Sequence, residues 1–294
     1  MRIELGRRKL KVELIGFDSI GVRSMATFIE TPDISIFIDP AVSLAPRRFS
    51  LPPHELEWRR LNEVASAISR RASEADMIVI THYHYDHHDP GKYVPLDIYD
   101  GKLLVIKDPK NKINYSQRMR SARFLKLVKG RVKDIVVGEE RKLVFGKTTV
   151  EISPPYPHGI NDRLGYVIQI YVSDGDRSLL FSSDVEGPVD EGATDFIIGK
   201  RPDVLILDGP PTYLSGTKFP EEAIRKARDN ISRILRSSVE MVVADHHLLR
   251  DLKYVDFIAP LNEGGGKVLT AAEFMGREPE LLEAQRPRLY GLRL

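Results

Sequence analysis

Three times along this chain a short apolar run, patterned like a buried strand, stops at histidine. Met77-Ile78-Val79-Ile80 leads through Thr81 into His82-Tyr83-His84-Tyr85-Asp86-His87-His88. Val150-Glu151-Ile152 leads through the stiff loop Ser153-Pro154-Pro155-Tyr156-Pro157 to His158, and Met241-Val242-Val243-Ala244 leads through Asp245 to His246-His247. Side chains alternate across a strand, so His82 and His84 share one side and can converge on one ion, while Asp86 and His87 turn towards a neighbouring ion. Seven of the eight histidines stand in these positions. Packed together without a metal, such rings repel when charged and leave nitrogens unpaired when buried. A fourth run, Leu179-Leu180-Phe181-Ser182-Ser183-Asp184, ends in a carboxylate able to bridge two cations. The fold is therefore required to gather several strand ends at one place.

The chain has no cysteine. That excludes disulfides, thiolate nucleophiles and iron–sulfur clusters, and leaves any metal to histidine and carboxylate. Such donors suit Zn²⁺, with Mn²⁺ or Fe²⁺ as alternatives. Composition is that of a soluble globular chain, 42% apolar and 29% charged. No apolar run approaches the roughly 18 residues that span a bilayer, and Met1–Leu10 carries no signal-like core, so no membrane partner and a cytoplasmic location are expected. Three Gln and six Asn against 44 basic and 42 acidic residues hint at a thermophile with surface ion-pair networks.

Alternating runs predict a β-meander over Lys11–Ile15, Met25–Ile29 and Ile34–Ile38. An amphipathic helix from about His54 to Ser73 follows, with Leu56, Leu61, Val64 and Ile68 on its apolar face. Further strands are expected at Met77–Ile80, Leu103–Ile106, Lys142–Phe145 and Thr149–Ile152, then a hairpin of Tyr166–Val172 with Ser178–Phe181 turned at Asp174-Gly175. The C-terminal third alternates strand and helix: Val204–Leu207, a helix from Pro220 to Ser237, and Met241–Ala244. This is an α+β pattern of facing sheets with outer helices, without a linker or repeat to divide residues 1–294 into more than one domain.

The cluster His82, His84, Asp86, His87, followed in order by His158, Asp184 and His246, resembles the metallo-β-lactamase superfamily. The match runs from about residue 12 to 250, and Asp39 in Phe37-Ile38-Asp39-Pro40 is similar to the superfamily's early strand-end aspartate, although it also reads as a simple turn residue. The resemblance implies a four-layer αβ/βα sandwich and a dinuclear metal-dependent hydrolase using a metal-bridging hydroxide. One metal would take His82, His84 and His158, the other Asp86, His87 and His246, with Asp184 bridging. Asp208, Asp245 or His247 would shuttle a proton, and His247 is the alternative last ligand. Asp245-His246-His247-Leu248-Leu249-Arg250 and Leu207-Asp208-Gly209-Pro210-Pro211 resemble a poorly characterised archaeal branch. His88-Asp89-Pro90-Gly91 departs from the usual Gly-Gly helix start, and His84 stands where redox members carry Glu. His54 and His88 read as non-ligands.

Segment Lys107–Lys133 holds ten Lys/Arg and one acidic residue, with Tyr115 and Phe124 interleaved. It reads either as a basic insertion that recruits a phosphoester or RNA-like substrate, or as a solvated helix face with Met119, Phe124, Leu125 and Val128 inward. A phosphodiester is the favoured substrate. A lactone, thioester or other acyl bond is the alternative, as is a non-catalytic metal- or RNA-binding role.

Overall fold

The computed structural model describes residues 2–6 and 10–292. Strands β1 (Ile3–Leu5), β2 (Leu10–Gly16), β3 (Ala26–Glu30) and β4 (Ser35–Ile38) form an antiparallel meander. Helix α1 (Glu55–Glu74) then returns the chain to β5 (Met77–Ile80), which lies parallel to β4; β6 (Leu103–Ile106), α2 (Tyr115–Val128) and β7 (Asp134–Val137) extend the same sheet in chain order. The second sheet repeats this scheme. Antiparallel β8 (Lys142–Phe145) and β9 (Thr148–Ile152) precede a small ribbon of β10 (Tyr156–Pro157) and β11 (Tyr166–Val167). Then come β12 (Ile170–Ser173), β13 (Ser178–Phe181), α3 (Glu191–Lys200), β14 (Val204–Asp208), α4 (Glu221–Arg236), β15 (Met241–Asp245), α5 (Tyr254–Glu263) and β16 (Val268–Leu269). From β13 onward the neighbours are parallel, in the order β16-β15-β14-β13-β12-β9-β8. Short helices α6 (Ala271–Phe274) and α7 (Arg286–Leu289) close the described chain.

The period of two in each strand sorts its residues between cores. Met77, Val79, Leu179, Phe181, Val204 and Ile206 face the space between the sheets. Ile78 and Ile80 face the helix side of the first sheet with Leu61, Ile68 and Phe124, and Leu180, Leu205 and Leu207 face Ile197, Ile231 and Phe257 behind the second. Three cores separate four layers, the αβ/βα sandwich that the resemblance implies. Because β4, β5, β13, β14 and β15 all belong to the parallel portions, Asp39, His82, Asp184, Asp208 and His246 follow strand ends on one rim.

Several expectations change in detail. Leu56 is 39% exposed. Its place on the inner side of α1 is taken by Glu57, which is fully buried because Arg286 grips it through two bonds of 2.8 and 2.7 Å. Phe124 and Val128 do turn inward on α2, whereas Met119 is 54% exposed, beyond the reach of that core. The expected strand Tyr166–Val172 breaks at Ile168, whose N–H donates across to the carbonyl of Thr81 in the other sheet at 3.2 Å. In place of a Gly-Gly helix start, the carboxylate of Asp89 accepts from the N–H groups of Lys92, Tyr93 and Val94, and the next regular turn is a 3₁₀ helix at Leu96–Tyr99. Among the described residues no helix is long and apolar enough to cross a membrane.

Candidate metal centre

Asp184 stands where the two sheets meet and is 1% exposed. Its Oδ2 lies 3.1 Å from Nε2 of His158 and 3.5 Å from Nε2 of both His82 and His246, and its Oδ1 lies 3.0 Å from Nε2 of His87. Four imidazoles from three chain segments thus turn the same ring nitrogen to one carboxylate. His82, His84, His158 and Asp184 form one group with donor atoms within 4.8 Å of one another, and Asp86, His87 and His246 form a second. His247 joins Asp184 and His246 in a further such group.

The other ring nitrogens face outward to fixed partners. Nδ1 of His87 lies 2.7 Å from Oδ2 of Asp39, which also accepts from the Thr81 hydroxyl, while Asp39 Oδ1 accepts from the Thr81 N–H. Nδ1 of His246 lies 2.8 Å from Oδ2 of Asp18 and Nδ1 of His247 lies 2.9 Å from Oδ1 of Asp208, whereas Nδ1 of His158 faces Oε1 of Glu186 at 3.5 Å without a hydrogen bond. His82 has hydroxyls at this position, Thr81 and Ser183 each at 3.3 Å. A carboxylate on Nδ1 settles which tautomer is present and leaves Nε2 to bind a cation. Asp39, Ser183, Glu186 and His246 also have φ near +50°, a left-handed conformation uncommon for residues with a Cβ.

Buried atoms without hydrogen-bond partners test whether a cation fits. Nε2 of His82 is buried without one, and Nε2 of His87 and Oδ1 of Asp184, though 3.0 Å apart, make no hydrogen bond; all three lie within the cluster. Charge carries the same message. Burial by itself would keep Asp184 protonated, yet His87, His246 and His82 hold its carboxyl well below the usual range; Asp86 is lowered in the same way by His87 and His246. Burial and the neighbouring His87 press His82 down to about 3, so its lone pair is free. His246 moves the other way: burial opposes its charge, but Asp184 and Asp18 lift it to about 10. Protons on His87 and His246 thus meet a demand for positive charge that divalent cations satisfy as well. The residues present fit such ions.

Asp208 is fully buried, accepts from the N–H groups of Glu186 and His247, and is raised well above the usual carboxylate range by burial and Asp184. Asp245, expected among the proton shuttles, points elsewhere. Its two oxygens accept from the N–H groups of Ser19, His246 and Ala271, so it fixes the backbone beneath His246 and has no free oxygen towards the cluster. His54 caps α1 and packs edge-on against Tyr290, and His88 lies under Tyr85 with its Nδ1 on the His84 carbonyl.

No family model matches the chain. Whole-length relatives do. A UPF0282 protein of Metallosphaera sedula is 47% identical over 286 residues, spanning 96% of this chain and 93% of its own length. UPF0282 proteins of Sulfolobus acidocaldarius, 46% identical over 281 residues (94% and 91%), and Saccharolobus solfataricus, 45% identical over 286 residues (96% and 93%), agree. The chain belongs to the UPF0282 family.

The fold of this UPF0282 chain is that of the metallo-β-lactamase proteins. The metallo-β-lactamase fold protein YhfI from Bacillus subtilis is similar with a TM-score of 0.53 at 15% identity, covering 92% of this chain and 97% of its own. Tm1679, a metal-dependent hydrolase of the β-lactamase superfamily, is similar with a TM-score of 0.52 at 12% identity over 89% and 95%. At such identities the likeness shows architecture alone. The grouped histidines and carboxylates, at the strand ends of this fold, could hold divalent metal.

Reading the sequence for strand-end histidines misses Asp18, Glu186, Gln117 and Arg250 of this UPF0282 chain. Gln117, on α2, lies 3.4 Å from Nε2 of His84 and accepts from the N–H of Tyr83. Arg250 reaches Asp18, His246 and Asp86. Each is a single polar residue that periodicity does not single out; for Arg250 the pointers are its place one helical turn after His246 and at the end of the segment Asp245–Arg250 that resembles an archaeal branch.

Proposed function

We propose that this UPF0282 protein is a dinuclear metal-dependent hydrolase, with Zn²⁺ as its favoured ion, acting on a phosphodiester or related phosphorylated substrate. The observation that carries the reading is the carboxylate of Asp184 enclosed by Nε2 of His82, His87, His158 and His246. His82, His84 and His158 would hold one ion, Asp86, His87 and His246 the other, and Asp184 both. Ions held there supply Lewis acidity, bringing the ionisation of water towards neutral pH and stabilising negative charge on the attacked group.

The chain's own residues supply the rest. His247 is tethered by Nδ1 to Asp208, so its Nε2 is left to donate or accept a proton at the leaving group. Asp208 orients that ring rather than meeting the substrate. A cleft of about 850 Å³ opens at Asp86, lined by Lys92, Arg120 and Arg123 together with Tyr85 and Tyr93. Arg120 lies over Tyr85 and Lys92 over Tyr93, each at 4.6 Å. Cations interleaved with aromatic faces favour an anionic substrate that carries a ring, which supports the phosphodiester over the acyl alternatives. Of the basic segment, Arg120 and Arg123 reach this cleft. Lys107 is fully buried and bonded to the carbonyls of Asp108 and Asn111 and to Glu139, so it is structural.

The test is a panel of phosphodiester, lactone and thioester substrates with Zn²⁺ or Mn²⁺. Phosphodiester cleavage, with KM raised about tenfold or more in Arg120→Gln and Arg123→Gln, supports the proposal. Turnover of lactones or thioesters alone would move the chain to acyl hydrolysis, and salt-dependent RNA binding without cleavage would make it a binding module.

A further inference from the structure

Arg250 closes the 3₁₀ turn His246–Arg250, and its side chain is 4% exposed. Its Nε donates to Oδ1 of Asp18 at 2.9 Å, while Oδ2 of the same carboxylate lies 2.8 Å from Nδ1 of His246. Asp18 therefore holds ring and guanidinium together. The result is that Nη2 of Arg250 stands 3.1 Å from Nε2 of His246 and 3.6 Å from Oδ2 of Asp86. With Nδ1 engaged by Asp18, Nε2 is the nitrogen that His246 has left for an ion, and it is the one the guanidinium approaches.

The other group has different surroundings. Around His82, His84, His158 and Asp184 the outer partners are the hydroxyls of Thr81 and Ser183, the amide of Gln117 and the carboxylate of Glu186. None of these is a cation. A lysine beside the second group would be able to release its proton when a divalent ion arrived; a guanidinium stays charged. In a buried setting two like charges a few ångströms apart repel strongly, so an ion at Asp86, His87 and His246 binds weakly or drives Arg250 aside.

We infer that Arg250 makes the two halves of the centre unequal: it sets a low affinity at the Asp86, His87, His246 subsite, so the protein passes from one ion to two only as the guanidinium is displaced. In the one-ion form Arg250 supplies a permanent positive charge where the second ion would otherwise stand. The inference rests on the metal-centre reading above.

Calorimetric titration of the metal-stripped full-length chain with Zn²⁺ alone tests it, with circular dichroism to report folding. The wild type is expected to bind one ion tightly and a second roughly 100-fold more weakly. In Arg250→Met and Arg250→Gln the second constant tightens about tenfold or more, while the first moves less than about threefold. Two equal constants in the wild type overturn the inference and leave the metal centre standing, and so does an unchanged second constant in a folded variant. A wild type that binds no ion overturns both. Because the wild-type curve alone separates equal from unequal sites, the test survives a variant that fails to fold.

Discussion

Nδ1 of His87 lies 2.7 Å from Oδ2 of Asp39, a carboxylate delivered by the neighbouring parallel strand and steadied by Thr81. Removing its charge while keeping its shape leaves the ring free to turn and to adopt the other tautomer. Asp39→Asn is expected to weaken metal binding by about 10–100-fold, with secondary structure retained. Competition against a chelator of known affinity reads this directly, and an unchanged constant would show that Asp39 is only a turn residue.

Gly159 answers a different need. Its φ is +77°, and a Cβ there would meet Oε2 of Glu186 at 2.0 Å. Gly159→Ala is expected to push Glu186 off Nδ1 of His158 and to cost about 1–3 kcal/mol of stability. Chemical denaturation gives the stability change. Metal affinity measured on the same sample is expected to fall, whereas Gly199→Ala, in α3 with open space around its Cβ, leaves metal affinity unchanged and raises stability by up to about 1 kcal/mol.

His247 is assigned to proton transfer and His246 to the metal, and the two roles separate experimentally. His247→Gln is expected to lower kcat by about 10²–10⁴-fold with the metal content unchanged. Loss of one ion per chain in that variant would make His247 a ligand instead.

The parts of the centre legible in the sequence were those that follow strands. His82, His84, Asp184 and His246 follow short buried apolar runs directly and His158 follows one through a Pro-rich loop, and the strand period of two decides which way a strand-end side chain faces. The partners that orient them were not legible. Asp18 meets His246 across 228 positions, and Glu186 meets His158 from a loop, so only the tertiary fold brings them together. The same limit applies to the scaffold. β1, β7, β10 and β16 are short strands, and α3 and α5 were hidden because Gly192, Gly199 and Pro260 interrupt their helical pattern. The C-terminal segment carries no strand signal; it is stitched on by Arg286 to Glu57, Arg60 to Glu280 and Arg23 to Glu283.

That last pair gives a pH prediction. Burial works against ionisation of Glu283, but Arg23, bonded to both oxygens at 2.6 Å, outweighs it and, with Arg250 and Arg48, holds the carboxyl at about 2 instead of 4.5. A carboxyl whose pKa is lowered by folding contributes stability above its unfolded pKa and loses it as pH falls towards the folded one. The contribution is roughly 3 kcal/mol at neutral pH, declining between about pH 5 and pH 2. Denaturation at pH 6, 4 and 3 is expected to show a shallower acid slope for Glu283→Gln than for the wild type; parallel slopes would remove Glu283 from the account.

The central claim is that the cluster around Asp184 holds divalent metal. Equilibrium dialysis of the folded chain against Zn²⁺, with metal quantified per chain, tests it most directly. The account predicts two ions per chain at saturation, falling to one or none in Asp184→Ala while the fold persists. Less than one ion per folded wild-type chain at every Zn²⁺ concentration, with or without Mn²⁺ or Fe²⁺ in its place, would contradict it.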